Sequence, residues 1–205
     1  MNVYIVRHGR SIGNEMRIHQ DSNSELSEDG LKQANLLANR FKNIDIDLIV
    51  ASPFTRAQQT AKIINKNLNK PIENSDHFIE IKRPTIIENL NVLDENVVKI
   101  REEIRKNYHD PSYRHSDEET FFELKDRAIK ALKFLEKKRE ENILVVTHGE
   151  FIRCIFGIIT MGNDFGPNTL IRLDETLRSY NTGITLCKYE KNWEVITWND
   201  INHLG

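Results

Sequence analysis

Short apolar runs without polar alternation recur along the chain at residues 3–6, 47–51 and 143–147. Continuous runs rich in Val and Ile are typical of strands that are covered on both faces, as in parallel sheets. Two further runs, 184–189 and 193–198, are joined by Glu190-Lys191-Asn192 and predict a closing hairpin. A shorter strand is predicted near 77–79. The pattern therefore predicts a largely parallel sheet with an antiparallel part.

Apolar residues at helical spacing occupy the segments between these runs. Helices are predicted at about 27–41, 53–68, 95–107, 116–139 and 150–161, and residues 15–25 are predicted to form a polar loop. Ser27 is placed to open the first helix, and Ser116 with Glu119 forms a capping-box pattern. Strands that alternate with helices predict an α/β fold, a three-layer α/β/α sandwich around a mostly parallel, mixed central sheet. One domain is expected over residues 1–205, with a small inserted cap at about 82–116.

Polar residues with catalytic potential follow three of the predicted strands. Arg7-His8-Gly9 ends the first run, Thr147-His148-Gly149 ends the run at 143–147, and Arg56 lies near the start of the helix after 47–51. In open α/β sheets, ligands bind beyond the carboxyl ends of the strands. Two guanidinium and two imidazole groups at one sheet edge indicate chemistry on a bound oxyanion.

Further motifs extend this pattern. The full set comprises Arg7-His8-Gly9 with Ser11 and Asn14, residues 26–30 (LSEDG) with Gln33-Ala34, residues 51–53 (ASP) with Arg56-Ala57 and 59–61 (QTA), and residues 146–149 (VTHG) with Ile152-Arg153. Together these motifs resemble the histidine phosphatase superfamily, also called phosphoglycerate mutase-like. The resemblance spans residues 1–186 and is weakest between 82 and 116. It implies phosphoryl transfer through a phosphohistidine.

Attack on a phosphomonoester requires a nucleophile, positive charge around the phosphoryl oxygens and a proton for the leaving alcohol. His8 is the candidate nucleophile, and flanking cations should keep its imidazole neutral at neutral pH. The candidate phosphate-binding residues are Arg7, Asn14, Arg56, His148 and Gly149. The resemblance implies the same roles at these positions.

Glu80 is the candidate proton donor, since the resemblance places an acidic residue after the strand that follows the Arg56 helix. A bound phosphate dianion next to Glu80 would favour its protonated form. Glu88 is a second candidate for the same pocket. Arg83, in Lys82-Arg83-Pro84, departs from the commonest family pattern and is similar to a branch of broad phosphatases, which leaves the substrate open. Arg10 stands where the family usually has Glu and is expected to face solvent.

Composition narrows the classes of partner. The net charge of −2 provides no global field for nucleic acid or an anionic membrane. Cys154 and Cys187 lack metal-ligand spacing and are expected to be buried thiols, which favours a reducing, cytoplasmic location. No metal or other cofactor is expected, because two Arg and two His already supply the positive charge that Mg²⁺ brings elsewhere. The remaining histidines are expected to be ordinary: His19, His77, His109, His115 and His203.

The sequence therefore predicts a metal-independent phosphatase of a small phosphomonoester, with a homodimer left open. Two alternatives remain, a phosphoglycerate mutase-type phosphoryl transfer and a non-catalytic binding protein of the same fold. A mutase must keep water from a long-lived phosphoenzyme. Only residues 199–205 follow the last predicted strand, too few to cover His8, so the phosphatase is favoured.

Overall fold

The computed structural model describes all residues from Met1 to Gly205. Its centre is a six-stranded sheet in the order β3-β2-β4-β1-β5-β6. The strands are β1 (Asn2–Arg7), β2 (Leu48–Ala51), β3 (Ile72–Asn74), β4 (Asn142–Thr147), β5 (Ile184–Tyr189) and β6 (Trp193–Asp200). Strands β1 to β4 run parallel, whereas β5 and β6 form an antiparallel hairpin beside β1. The predicted α/β fold with a mixed sheet is confirmed.

Helices cover both faces of the sheet. They are α1 (Ile12–Met16), α2 (Glu28–Phe41), α3 (Thr55–Leu68), α4 (Glu95–Lys106), α5 (Phe121–Glu136), α6 (Gly149–Met161) and α7 (Pro167–Thr176). Because successive strand residues point to opposite faces, Ile5 of β1 joins a core with α5 and α6, while Val6 joins a second core with α2 and α3. Each core is thus a layer of helices on one face of the sheet, whose central strands β1, β2 and β4 are mostly buried. No helix is both long and apolar enough to cross a membrane.

The strand register brings several loops to one edge of the sheet. Arg7 at the end of β1 lies opposite Thr147 at the end of β4, and Ala51 at the end of β2 lies opposite Val146. Since β5 is antiparallel, its first residue Ile184 also lies at this edge, opposite Val6. The loops after β1, β2 and β4 therefore meet the loop that precedes β5.

The predicted strand at 77–79 is wrong. The edge strand β3 lies earlier, and residues Asp76–Phe78 form a 3-10 helix capped by the Ser75 hydroxyl, which accepts the N–H of His77. Phe78 is fully buried against the core instead of pairing in the sheet. A local side-chain cap has thus replaced a strand ladder over these residues.

The start of the long helix α5 is also predicted wrongly. The capping box is formed by Thr120 and Glu123 and not by Ser116 and Glu119, and the helix ends at Glu136. Glu118 explains the difference, because its carboxylate accepts the backbone N–H groups of His115 and Ser116 and closes a turn there.

Two helices were not predicted. Helix α1 opens with a capping box between Ser11 and Asn14 and ends at Arg17, whose φ of 54° is left-handed. It occupies the start of the segment that was predicted to be a polar loop. Helix α7 follows α6 and has Pro167 in its first turn.

The segment 82–116 consists of a 3-10 turn at Thr85–Ile87, helix α4 and connecting loops. Ile104 and Tyr108 are buried in the core that contains α5 and α6. On the other side, Val92 donates its N–H to Arg17 O and His19 donates to Leu90 O. The segment is therefore attached both to the core and to the loop after α1.

Candidate active site

A cavity of about 950 Å³ opens at the sheet edge where the strand-end loops meet. Arg7, His8, Arg56 and Glu80 line it together, although they come from three separate places along the chain. The wall is completed by the loop after α1 and by the segment 82–116. Of the candidate site residues, these four line the cavity, whereas Asn14, His148 and Gly149 do not.

His8 is held in one tautomer. Its side chain is 2% exposed, and Nδ1 lies 2.7 Å from the carbonyl oxygen of Gly9. A carbonyl only accepts hydrogen bonds, so Nδ1 carries the proton and Nε2 carries the lone pair. The Nε–H of Arg56 donates to this Nε2 across 3.2 Å. The arrangement presents a neutral imidazole nitrogen, which is the nucleophilic form.

The guanidinium of Arg7 is fixed by backbone. Nη1 donates to the carbonyl oxygen of Ser179 across 2.5 Å, while the buried Nε has no hydrogen-bond partner. Gly149 makes room for this side chain, because a Cβ there would lie 3.3 Å from Arg7 Nε. A glycine at the first residue of α6 therefore allows the guanidinium to lie against the start of that helix.

Arg56 and His148 are both next to the His8 ring. Arg56, in the first turn of α3, is 3% exposed and donates from Nη1 to the backbone oxygen of Asp21 across 2.8 Å. The His148 ring is fully buried, with its centroid 5.1 Å from that of His8. His148 Nε2 lies 2.8 Å from Ser52 Oγ, whereas its buried Nδ1 has no partner. His148 does not line the cavity itself.

The electrostatics of the site favour a neutral imidazole beside charged guanidiniums. Burial, and then the charges of Arg56 and Arg7, hold the pKa of His8 well below its usual value. Burial and the neighbouring Arg56 have the same effect on the pKa of His148. Burial lowers the pKa of Arg7 and of Arg56 to about 10, so both remain charged at neutral pH. Arg56 is buried and Arg7 is half-buried, and neither has a carboxylate partner, so the two cations are suited to an anionic ligand.

Glu80 lies at the N-terminus of α6. Its Oε1 accepts the N–H of Phe151 at 3.0 Å and of Ile81 at 3.1 Å, and Oε2 accepts the N–H of Glu150 at 3.3 Å. Helix N-termini favour negative charge, and these bonds fix the carboxylate in the cavity wall.

Arg127 of α5 supports the segment that carries Glu80. Its Nη1 donates to the carbonyl oxygens of Ile79 at 2.8 Å and His77 at 3.1 Å. The same guanidinium is paired with Glu119 at 2.7 and 2.8 Å and lies 4.6 Å from the centre of the Phe151 ring. No local sequence pattern indicated this contact, because Arg127 lies about fifty positions from Ile79 and His77.

The side-chain oxygen of Asn14 accepts two hydrogen bonds, from the N–H of Ser11 at 3.2 Å and from the Nδ2–H of Asn181 at 3.3 Å. Asn181 also donates to the backbone oxygen of His8 at 2.9 Å, and Thr182 donates its N–H to Arg7 O. The loop before β5 is thus part of the site, and sequence analysis missed it. The predicted antiparallel hairpin could have indicated this loop. The first residue of a strand antiparallel to β1 lies at the sheet edge where the parallel strands end.

The other residues that the sequence analysis singled out lie in different surroundings. Glu88 lines the cavity and is exposed, and Arg83 pairs with Glu150 in the first turn of α6. Arg10 is exposed and lies near Glu15 and Asp29, as expected for a residue facing solvent. His19 was expected to be ordinary, but it lines the cavity. No cluster of three or more His, Cys, Asp or Glu side chains is arranged to hold a metal.

Comparisons with known proteins identify a matching family and proteins of similar fold. The sequence model of the histidine phosphatase superfamily (branch 1) matches residues 3–201. An uncharacterized phosphatase PhoE of Bacillus subtilis is 29% identical over 99% of this chain and 96% of its own. A probable phosphoglycerate mutase GpmB of Yersinia pestis is 48% identical, but over only 31% of this chain and 30% of its own. The fold is similar to that of Entamoeba histolytica phosphoserine phosphatase in complex with 3-phosphoglyceric acid, with a TM-score of 0.80, 21% identity and coverage of 99% of this chain and 98% of that one.

Proposed function

Because the chain belongs to the histidine phosphatase superfamily (branch 1), we propose that it hydrolyses a small phosphomonoester through a phosphohistidine on His8. The observation that carries this proposal is the state of His8 in the cavity wall, whose unprotonated Nε2 accepts the Nε–H of Arg56 while Nδ1 is held by Gly9. A nucleophile and an acid are both present in one cavity, and a protein that only bound phosphate would need neither.

In the first step, His8 Nε2 attacks the phosphorus atom and the bond from phosphorus to the alcohol oxygen breaks. Glu80 gives its proton to that leaving oxygen, which departs as the alcohol. Arg7 and Arg56, which line the cavity, hold the phosphoryl oxygens while charge is redistributed among them. His148 would join them only if its ring, which is buried 5.1 Å from that of His8, came into contact with the bound group. Preorganised donors of this kind each contribute about 2.7–4 kcal/mol to transition-state stabilisation.

In the second step, water attacks the phosphohistidine. The carboxylate of Glu80 takes a proton from the water, the N–P bond breaks with its electrons returning to Nε2, and inorganic phosphate leaves. His8 is then neutral again and Glu80 is again protonated. Apart from the substrate and one water molecule, no group from outside the chain is needed to balance the two steps.

The proposal is tested by trapping the intermediate. Wild-type protein that is mixed with a labelled phosphomonoester and quenched should carry acid-labile, base-stable phosphate. His8→Ala should carry none and should lose turnover of nitrophenyl phosphate, while His109→Ala, which changes an exposed histidine outside the cavity, should behave like wild type. Substantial turnover by His8→Ala would contradict the proposal, and phosphate binding without turnover by wild type would favour a binding protein.

A mutase is the second candidate, because the matching segment of the GpmB relative is 48% identical. The two activities differ in whether water or a second hydroxyl reaches the phosphohistidine first. The open cavity of about 950 Å³ gives water access to His8, which favours hydrolysis. With 3-phosphoglycerate as substrate, we expect release of inorganic phosphate without added 2,3-bisphosphoglycerate. Rapid formation of 2-phosphoglycerate with little phosphate release would establish the mutase instead.

A further inference from the structure

Two basic side chains in the cavity wall have no use in the proposed reaction. Arg101 of α4 and His19 of the loop after α1 both line the cavity that contains His8. Arg101 Nε and His19 Nε2 are buried without hydrogen-bond partners. Arg101 also forms no ion pair. Buried donors are normally satisfied, so two unsatisfied groups in one cavity indicate a missing ligand.

The neighbouring carboxylates of the wall are already engaged. Glu150 pairs with Arg83, and Asp174 pairs with Arg105 and with Arg153 at 3.3 Å. Arg101 therefore has carboxylates nearby but forms no ion pair with them, because they are paired with other arginines. An incoming anion would therefore meet an uncommitted guanidinium and would not have to break an internal pair.

The electrostatics point in the same direction. Burial, followed by the charges of Arg83 and Arg101, lowers the pKa of His19 to about 4. Burial and the charges of Arg83 and Arg105 also lower the pKa of Arg101. The charges of Arg83 and Arg105 thus disfavour the charge of Arg101, and an anion beside Arg101 would offset this repulsion.

We propose that Arg101 and His19 form a second anion-binding subsite, so that the preferred substrate carries a second oxyanion besides the phosphate that faces His8. This inference rests on the proposed phosphatase function. Arg101 supplies a charged, planar donor, and neutral His19 supplies one N–H. The second oxyanion is a carboxylate or another phosphate, and the cavity of about 950 Å³ is large enough for a substrate that bears both groups.

Paired substrates test the subsite. 3-Phosphoglycerate and glycerol 3-phosphate share a three-carbon skeleton but differ by a carboxylate in place of a hydroxymethyl group. Wild type should prefer 3-phosphoglycerate, and Arg101→Gln should raise its KM by about tenfold or more with kcat nearly unchanged, since a bond between charged groups is lost. The same variant should leave kinetics with glycerol 3-phosphate unchanged. His19→Asn should shift KM in the same direction by a smaller factor.

A matched control and a second substrate pair complete the experiment. Lys99→Gln removes an exposed cation from the same helix outside the cavity and should alter neither substrate. Fructose 1,6-bisphosphate against fructose 6-phosphate distinguishes a second phosphate from a carboxylate. If Arg101→Gln proves unstable, Arg101→Lys keeps the charge and tests the planar donor.

The outcomes separate this inference from the proposed function. Two outcomes would overturn the subsite while leaving the phosphatase intact. Arg101→Gln could lose kcat/KM equally on both members of each pair, or wild type could show no preference for the substrates that carry a second anionic group. Absence of turnover on all four substrates would overturn the phosphatase. In that case, calorimetric titration with 3-phosphoglycerate decides the subsite alone, since binding should weaken in Arg101→Gln and an unchanged affinity would reject it.

Discussion

The Nε–H of Arg56 donates to Nε2 of His8 across 3.2 Å, so in the free protein the nucleophilic lone pair is occupied by a cation. A phosphoryl group that enters between the two would replace this bond with contacts from each side. Arg56 would then face the phosphoryl oxygens while His8 faces phosphorus. The bond also orients the imidazole ring, which is held from its other nitrogen by Gly9.

Arg56→Lys should reduce kcat/KM for nitrophenyl phosphate by about 10²-fold or more, although it preserves the charge. A lysine ammonium cannot reproduce the planar donors that reach both His8 and the backbone oxygen of Asp21. Arg10→Lys is the matched control, because Arg10 is an exposed arginine outside the cavity and its replacement should have no effect. The measurement is kcat/KM of both variants for nitrophenyl phosphate. If Arg56→Lys matched Arg10→Lys, Arg56 would not be part of the site.

Glu80→Gln should slow the hydrolysis of alkyl phosphates far more than that of nitrophenyl phosphate, whose leaving group hardly needs a proton. General acid catalysis contributes about 10²–10⁴-fold, so the contrast is measurable. The amide oxygen of Gln can still accept from Phe151 and Ile81, which keeps the side chain in place. Glu88→Gln serves as the comparison. If it shows the larger leaving-group dependence, the proton donor is Glu88.

Chelators should leave activity unchanged, because the candidate phosphate site is built from Arg7, Arg56 and His148. Activity with and without excess EDTA, before and after addition of Mg²⁺ or Zn²⁺, measures this. If EDTA abolished the activity and Mg²⁺ or Zn²⁺ restored it, the side chains alone would not suffice to balance the phosphate charge.

Sequence patterns predicted the parallel strands and the helices beside them because burial on both faces and helical periodicity are local signals. The ends of the predicted strands indicated that Arg7, His8 and Arg56 would lie together, and the family resemblance added Glu80; all four line one cavity. Contacts that join distant segments had no such signal, and Arg127 and Asn181 were missed for that reason. His19 was judged by its ligand spacing alone, although its position depends on backbone pairing with Leu90. The strand near 77–79 was predicted wrongly because a Ser75 cap overrode apolar propensity.

Stability should fall steeply between about pH 6 and pH 5. The pKa values of His8 and His148 are held below their unfolded value by burial and by neighbouring arginines, so the unfolded state binds protons first as the pH decreases. The free energy of unfolding should then decrease by about 1.4 kcal/mol per pH unit for each histidine, or about 2.7 kcal/mol for the two. Urea unfolding across this range should show a shallower slope in His8→Asn and in His148→Asn. An unchanged slope in both variants would contradict the assignment of these buried, neutral imidazoles.

Gly30→Ala should damage both stability and activity, because the first turn of α2 touches the backbone beside the nucleophile. A Cβ on Gly30 would lie 1.8 Å from the carbonyl oxygen of Arg10, two residues after His8, and that oxygen already accepts the N–H of Ser27 at 2.9 Å. Separating the two backbones should cost about 1–3 kcal/mol and should displace the loop that carries His8. Lys32→Ala, an exposed change in the same helix, provides the comparison. Urea midpoints and kcat for nitrophenyl phosphate should both decrease in Gly30→Ala alone, and a variant with normal values for both would show that this close approach is not required.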